Sequence, residues 1–232
     1  MASEAATTPE NIKERLKASY DAVASKYNEW TLPHSKKRME YLSKALEYLN
    51  LPAEPEKNPA FLELGCGCGL PVTQKLLETH PSARVIANDL STTQISIARE
   101  NLITNPEDEV AQRLELIPGD MSALTFPNES LDLVVAFYSI IHLPRTEQTA
   151  LLERITKWLK PGGYFVANFS AKESENAVRE QWLDDKDWMF WSGWGQEKTL
   201  EAMKKAGFEV LVAKVETDAV DGVSFLWTVA KR

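Results

Sequence analysis

The chain has 232 residues, of which 44% are apolar and 26% are charged, and its formal net charge is −8. These proportions are typical of a globular protein with a full hydrophobic core, and the length suits one domain. No apolar run approaches the roughly 20 residues of a membrane-spanning helix, and the first residues lack the basic-then-apolar order of a secretory signal. We therefore expect a cytoplasmic protein that binds no membrane, and the acidic charge disfavours nucleic acid as a partner.

The two cysteines do not indicate a disulfide or a metal site. Cys66 and Cys68 are separated by one residue, a spacing at which a disulfide would be strained. Together with the three histidines, His34, His80 and His142, they match no zinc-site spacing. We expect no metal.

The N-terminal part of the chain has a helical pattern. Apolar residues recur at helical spacing over 11–30 and 35–49, and three prolines then break the pattern before residue 60. This order predicts a helical cap and linker over residues 1–58, whose first ten residues should fray. The core then follows over residues 59–232, within what we expect to be a single domain.

Beyond the linker, predicted strands alternate with predicted helices. The last two strands have no helix between them, which predicts an antiparallel pair. The pattern indicates an α/β fold with a doubly wound, seven-stranded, mostly parallel sheet and an antiparallel last strand. The predicted strands are 60–64, 84–88, 114–118, 131–138, 163–169, 208–215 and 223–230.

The strongest motif is a glycine-rich loop after the first predicted strand. Gly65, Gly67 and Gly69 occupy every second position, so a ligand can approach the backbone closely there. A dinucleotide fingerprint would place its third glycine where Leu70 stands. The carboxylate of Glu63, just before the loop, would repel a pyrophosphate but would suit a ligand with an ammonium group.

Acidic residues follow the next two predicted strands. Asp89 lies about 20 residues beyond the glycine loop, a placement that suits hydrogen bonds to a ribose diol. Asp120 follows the third strand, where it could accept a hydrogen bond from an adenine amine while Met121 packs on the ring. Each residue alone could be a helix cap or a turn residue, but their positions at successive strand ends support a shared site.

This constellation resembles the class I S-adenosylmethionine-dependent methyltransferases from about residue 60 to the C-terminus. Residues 131–135 and 159–163 also fit that family, and residues 19–27 resemble the cap of its small-molecule and quinone branch. The resemblance implies a methyltransferase with S-adenosylmethionine as its cofactor. The expected cofactor-binding residues are Glu63, Gly65, Cys66, Gly67, Asp89, Leu90, Asp120, Met121 and Phe137.

His142 is the candidate catalytic residue. It follows the fourth predicted strand, next to where the transferred methyl group should lie. It could act as the general base for a hydroxyl acceptor, with a pKa near the ordinary value of about 6.5. It could equally anchor the substrate or be a core histidine, because an amine or a thiolate acceptor needs no base.

The stretch 182–194 holds five large aromatic residues in a predicted loop on the ligand-bearing edge of the sheet. They could form an apolar wall for the substrate or pack the cap onto the core. We expect Trp188 and Trp191, with Tyr20 and Tyr27 of the cap, to contact the substrate.

The sequence favours an enzyme that methylates O, N or S of a small organic acceptor. The fourth strand carries neither the Asn/Asp-Pro-Pro-Tyr motif of nucleic-acid amino methylation nor the Pro-Cys motif of cytosine C5 methylation. One alternative is a methyltransferase that acts on a protein or an RNA with a partner. Another is a non-catalytic cofactor-binding subunit, against which the intact glycine loop and acids argue. The sequence leaves the oligomeric state open.

Overall fold

A computed structural model gives the fold of most of the chain. Most of the residues that we predict to fray, and most of the predicted linker, are residues 1–8 and 52–57. These lie outside the residues that the structure describes. The structure describes residues 9–51, 58–105, 107, 109–218 and 221–232.

Helices and strands alternate after an N-terminal helical pair. The helices are α1 (Ile12–Thr31), α2 (Ser35–Leu49), α3 (Val72–Thr79), α4 (Thr92–Leu102), α5 (Glu109–Arg113), α6 (Arg145–Trp158) and α7 (Gly195–Ala206). The strands are β1 (Ala60–Leu64), β2 (Arg84–Asp89), β3 (Leu114–Pro118), β4 (Leu131–Ala136), β5 (Leu159–Ser170), β6 (Glu173–Glu180), β7 (Trp188–Trp194), β8 (Glu209–Thr217) and β9 (Ser224–Lys231). No helix in the described part of the chain has the length and apolar character needed to cross a membrane.

Among the described residues, seven strands form one sheet in the order β3-β2-β1-β4-β5-β9-β8. Strands β1 to β5 are parallel, and β9 is antiparallel to both of its neighbours, β5 and β8. The predicted doubly wound sheet with an antiparallel last strand is therefore confirmed. The strand order reverses beside β1, and in such sheets a ligand cleft opens at the carboxyl ends of the strands at this point.

Both faces of the sheet are covered, which explains the almost wholly apolar sequence of β4. On one face α2 buries Tyr41 and Leu42, and the Tyr41 ring stacks on Trp227 with 4.7 Å between ring centroids. On the other face α6 and α7 contribute Ile155 and Met203, which are both fully buried. The predicted cap thus divides into α2, which packs on the sheet, and α1, which lies over the strand ends.

The prediction of a loop over residues 182–194 is wrong in part. Residues 188–194 form β7, which pairs antiparallel with β6 as a separate hairpin. The side chains of β6 are mostly polar and are not buried, so no apolar alternation marks it as a strand. In β7, Gly193 is required because a Cβ there would come within 2.6 Å of the Cβ of Ser170.

Candidate active site

The glycine loop after β1 lies at the point where the strand order reverses. The backbone N–H groups of Gly65 and Cys66 both donate to the carbonyl of Asn88, at 2.8 and 2.9 Å. Gly65 has φ +79°, and a Cβ there would overlap the Cβ of Ser139. A Cβ on Gly67, by contrast, would meet nothing within 4 Å, although φ is +54°. The loop therefore packs tightly at Gly65 and leaves open space at Gly67.

Asp89 links the glycine loop to the start of α4. Its Oδ2 accepts the N–H of Gly67 at 2.8 Å, and its Oδ1 accepts the N–H of Ser91 at 2.9 Å. Burial raises the pKa of Asp89 to about 6, against the lowering effect of these hydrogen bonds. The Asp89 side chain therefore holds the glycine loop in place. It also lines a cavity above this loop.

Asp120 is held by its own turn and by α1. It accepts hydrogen bonds from the Ser122 N–H at 2.8 Å, the Ser122 hydroxyl at 2.7 Å and the Lys13 ammonium at 2.6 Å. Lys13 also contacts Glu147 at 2.5 Å. Burial acts to raise the pKa of Asp120, but the hydrogen bonds outweigh it and the pKa lies below its ordinary value.

A cavity above the glycine loop, here called the cofactor cavity, gathers most of the expected cofactor residues. Ser139 and Gln94, which sequence reasoning missed, also line it. The hydroxyl oxygen of Ser139 and Oε1 of Gln94 are buried without a partner among the described residues. Buried polar atoms normally have partners, so these atoms fit a polar ligand. The expected residues that line the cavity are Gly65, Gly67, Asp89, Leu90, Asp120, Met121 and Phe137.

A second cavity of about 300 Å³, here called the aromatic cavity, lies beside the first. Trp30, Trp182 and Trp191 form part of its wall, and Trp182 lies 4.7 Å from Trp30 and 5.6 Å from Trp191 between ring centroids. Of the expected substrate residues, Tyr20, Tyr27 and Trp191 line this cavity. The residues that line both cavities are Tyr20, Tyr27, Tyr138 and His142.

His142 lies in the short turn after β4, where the two cavities meet. Its Nδ1 lies 2.7 Å from the carbonyl oxygen of Phe190, so Nδ1 carries the proton, and Nε2 accepts the Tyr20 hydroxyl at 2.9 Å. Burial lowers the pKa of His142 to about 4. The expected pKa near 6.5 is therefore too high, because burial disfavours the charged form of the ring.

Comparison with known proteins supports a methyltransferase. Residues 61–163 match the family described as a methyltransferase domain. This match, together with the fold, supports a class I S-adenosylmethionine-dependent methyltransferase with S-adenosylmethionine as its cofactor. Among the described residues, no three His, Cys, Asp or Glu side chains form a group that could hold a metal ion.

Relatives of this methyltransferase differ in acceptor and in length. Biotin biosynthesis bifunctional protein BioHC of Teredinibacter turnerae is 25% identical over 210 residues, which cover 88% of this chain but only 35% of that protein. The tRNA N(3)-methylcytidine methyltransferase trm141 of Schizosaccharomyces pombe is 24% identical over 179 residues, 72% of this chain and 71% of that protein. The first relative is thus far longer than this chain.

A solved structure shares the fold over almost the whole chain. The 1,6-didemethyltoxoflavin-N1-methyltransferase of Burkholderia thailandensis, solved with 1,6-didemethyltoxoflavin and S-adenosylhomocysteine, has a TM-score of 0.70 at 15% identity. The similarity covers 97% of this chain and 91% of that one. This structure and the tRNA enzyme are named for unlike acceptors.

Two of the expected cofactor residues lie below the methyltransferase's glycine loop rather than in the cavity lining. Glu63 is 4% exposed, and its Oε2 accepts the Thr73 hydroxyl at 2.5 Å, which ties β1 to α3. Burial raises the pKa of Glu63 to about 8. Cys66 is buried beside it, and burial raises the pKa of its thiol as well.

Glu63→Gln should stabilise the protein at alkaline pH. The folded protein holds the Glu63 proton up to pH about 8, whereas the ordinary pKa is 4.5. Stability therefore falls as pH rises through this window, by up to about 1.4 kcal/mol per pH unit. Urea unfolding should show an advantage of Glu63→Gln that grows from pH 5 to pH 8. A difference that is constant with pH would contradict the protonated state of Glu63.

Trp188 does not line either cavity, contrary to the expectation that it contacts the substrate. Its ring is 6% exposed and packs with Ile12 and Leu16 of α1. The backbone N–H of Trp188 donates to the Ser19 hydroxyl at 2.8 Å, and the Arg15 guanidinium lies 3.9 Å from the ring centroid. Side chains alternate between the two faces of a strand. Trp188 and Trp191, which are three positions apart, therefore point to opposite faces of β7.

Two sets of polar contacts hold helix α1 over the cofactor cavity. Lys13 holds Asp120, and the Asp21 carboxylate accepts the Ser91 hydroxyl at 2.6 Å and the Thr93 N–H at 2.9 Å. With α1 so placed the cavity measures about 80 Å³, whereas ligand pockets usually measure about 300–1,000 Å³. We therefore expect α1 to shift when the cofactor enters.

Backbone amides of α1 should exchange with solvent more slowly once cofactor and acceptor are bound. We expect α1 to open for entry, and both ligands then to add contacts through Tyr20 and Tyr27 that hold it closed. Hydrogen exchange with mass spectrometry measures this, with the amides of α7 as the control. Equal exchange of α1 with and without both ligands would show that it is a fixed packing element.

Proposed function

We propose that this chain transfers a methyl group from S-adenosylmethionine to a small, flat aromatic acceptor. The observation that carries the proposal is the junction of the two cavities at Tyr20, Tyr27, Tyr138 and His142. Methyl transfer needs the acceptor atom about 3 Å from the methyl carbon, and ligands in adjoining cavities can meet that need. The aromatic cavity of about 300 Å³ has the size of a small-molecule site.

Residues of the cofactor cavity have chemistry that fits each part of the cofactor. The open space at Gly67 would take the methionine part, and the Asp89 carboxylate would bind the ribose. Asp120 and Met121 would bind the adenine, while the unpartnered hydroxyl of Ser139 would hydrogen-bond a polar group of the cofactor. When bound, the cofactor supplies a methyl group on a positively charged sulfur.

The aromatic wall supports a flat acceptor. Rings of Trp30, Trp182 and Trp191 form part of the wall, and stacked or edge-on aromatic pairs add about 0.5–1.5 kcal/mol each to burial. Helix α1 contributes Tyr20 and Tyr27 from above, so the same helix that covers the cofactor excludes water from the acceptor.

The state of His142 favours an acceptor atom that needs no base, such as an amine or a ring nitrogen. Both ring nitrogens of His142 are hydrogen-bonded within the protein, to Phe190 and Tyr20. A group with a pKa of about 4 is also a weak base at neutral pH. His142 therefore holds the Tyr20 hydroxyl, whose free lone pairs can accept a hydrogen bond from the acceptor.

We expect His142 to stay neutral from pH 5 to pH 8. Its pKa of about 4 places protonation below this range, so kcat should show no acid limb from His142 near pH 6.5. NMR titration of the labelled imidazole measures the pKa directly, and the kcat profile of His142→Gln beside wild type checks its consequence. An imidazole that titrates between pH 6 and 7 would instead support the general-base role.

The proposed function is tested with methyl-labelled S-adenosylmethionine. The purified protein is incubated with panels of aromatic amines, nitrogen heterocycles and phenols, and with tRNA and protein fractions. We expect a methylated small aromatic product, with nitrogen acceptors preferred, and its loss in Gly67→Ala. Label in tRNA or protein alone, with no small product, would overturn the proposal.

A further inference from the structure

His34 is a buried histidine of the aromatic cavity that the proposed reaction does not use. It ends the short turn between α1 and α2 and is only 3% exposed. Its ring lies 4.5 Å from that of Trp30 and 5.8 Å from that of Tyr138, between centroids. His34 thus contributes a polar group to a wall that is largely aromatic and that also includes Arg179 and Asp221.

One nitrogen of His34 is engaged and the other is not. Nδ1 lies 2.6 Å from Oδ2 of Asp218, and because a carboxylate only accepts, Nδ1 carries the proton. In the neutral ring Nε2 is then a hydrogen-bond acceptor. Nε2 is buried and has no partner in the described part of the chain, whereas both nitrogens of His142 have partners. Leaving a buried hydrogen-bond acceptor unpaired costs free energy. A ligand that donates a hydrogen bond to Nε2 would remove this cost.

The position of His34 separates it from the methyl transfer itself. It lines the aromatic cavity but not the cofactor cavity, whereas the neighbouring Tyr138 lines both. A ligand group beside His34 therefore lies in the aromatic cavity and outside the cofactor cavity. His34 is placed to recognise the acceptor rather than to take its proton.

We propose that Nε2 of His34 accepts a hydrogen bond from an N–H or O–H donor of a flat aromatic acceptor, at a position other than the methylated atom. Asp218 is a positioning residue, since its carboxylate fixes the proton on Nδ1 and the orientation of the ring. The inference rests on the proposed function in treating the aromatic cavity as the acceptor site. It adds the specificity of that site: a donor-bearing ring is selected over a ring of the same shape without a donor.

The test uses indole and benzofuran, which have the same shape but differ in the N–H donor. Calorimetry in the presence of S-adenosylhomocysteine should show that wild type binds indole at least about tenfold more tightly than benzofuran. His34→Phe should abolish this preference, and His34→Gln, which keeps an acceptor, should restore part of it. Equal binding of the two ligands by wild type, binding of neither at millimolar concentration, or a preference that survives in His34→Phe would overturn the proposal.

NMR of the imidazole nitrogens tests the assignment without any variant. We expect Nδ1 to be protonated and Nε2 to be unprotonated in the free protein, and the Nε2 signal to shift with indole but not with benzofuran. A protonated Nε2 would overturn the proposal. These binding results do not depend on turnover, so failure of the acceptor screen beside a clear indole preference would overturn the reaction and leave the His34 assignment standing.

Discussion

Gly67→Ala should lower the affinity for S-adenosylmethionine by at least about tenfold, which is about 1.4 kcal/mol. The new Cβ would meet no protein atom within 4 Å, but it would project from a residue that lines the cofactor cavity. Affinity is therefore lost because the new methyl group occupies space that the ligand needs. The left-handed backbone at Gly67, with φ +54°, adds about 1–2 kcal/mol of strain in the folded protein.

Gly207→Ala is the matched control. Gly207 also has a positive φ of +102° and nothing within 4 Å of its Cβ position, but it ends α7 and lines neither cavity. Both variants should lose similar stability in thermal unfolding, while calorimetry should show a loss of cofactor affinity only in Gly67→Ala. Equal affinities for the two variants would remove Gly67 from the cofactor site.

Trp188→Ala should destabilise the protein by about 3–5 kcal/mol, the usual cost of removing a buried tryptophan. Its ring fills the contact between α1 and β7, where it packs with Ile12 and Leu16. Loosening this contact should also weaken cofactor binding, since α1 covers the cofactor cavity. Chemical denaturation gives the free energy of unfolding and calorimetry gives the affinity.

Trp191→Ala separates packing from ligand binding. Trp191 is partly buried and lines the aromatic cavity. Its removal should cost less stability than that of Trp188, leave cofactor affinity near that of wild type and weaken acceptor binding. Similar stabilities of the two variants, or weaker acceptor binding in Trp188→Ala alone, would contradict the division of roles between these two rings.

The sheet and the cofactor cavity could be predicted because their signals are local. Strand β4 is a short, mostly apolar run. Gly67 and Asp120 follow strand ends, and Asp89 is the last residue of β2. In a parallel sheet these ends meet at one edge, so residues about 20 to 30 positions apart converge without knowledge of any long-range contact.

The aromatic cavity could not be predicted in detail because it depends on contacts between distant segments. His34 and Asp218 are 184 residues apart, and Tyr20 and His142 are 122 apart. The choice between Trp188 and Trp191 depends on the register of the hairpin of β6 and β7, and β6 has no apolar alternation to reveal it. The low pKa of His142 likewise arises from burial by residues far away in the sequence.

A crystal structure with S-adenosylhomocysteine and indole tests the central claim most directly. We expect the adenosine beside Asp89 and Asp120 and the sulfur at the junction lined by Tyr20, Tyr138 and His142, facing indole in the aromatic cavity. A sulfur that points away from the aromatic cavity, or that is separated from it by protein atoms, would contradict the account.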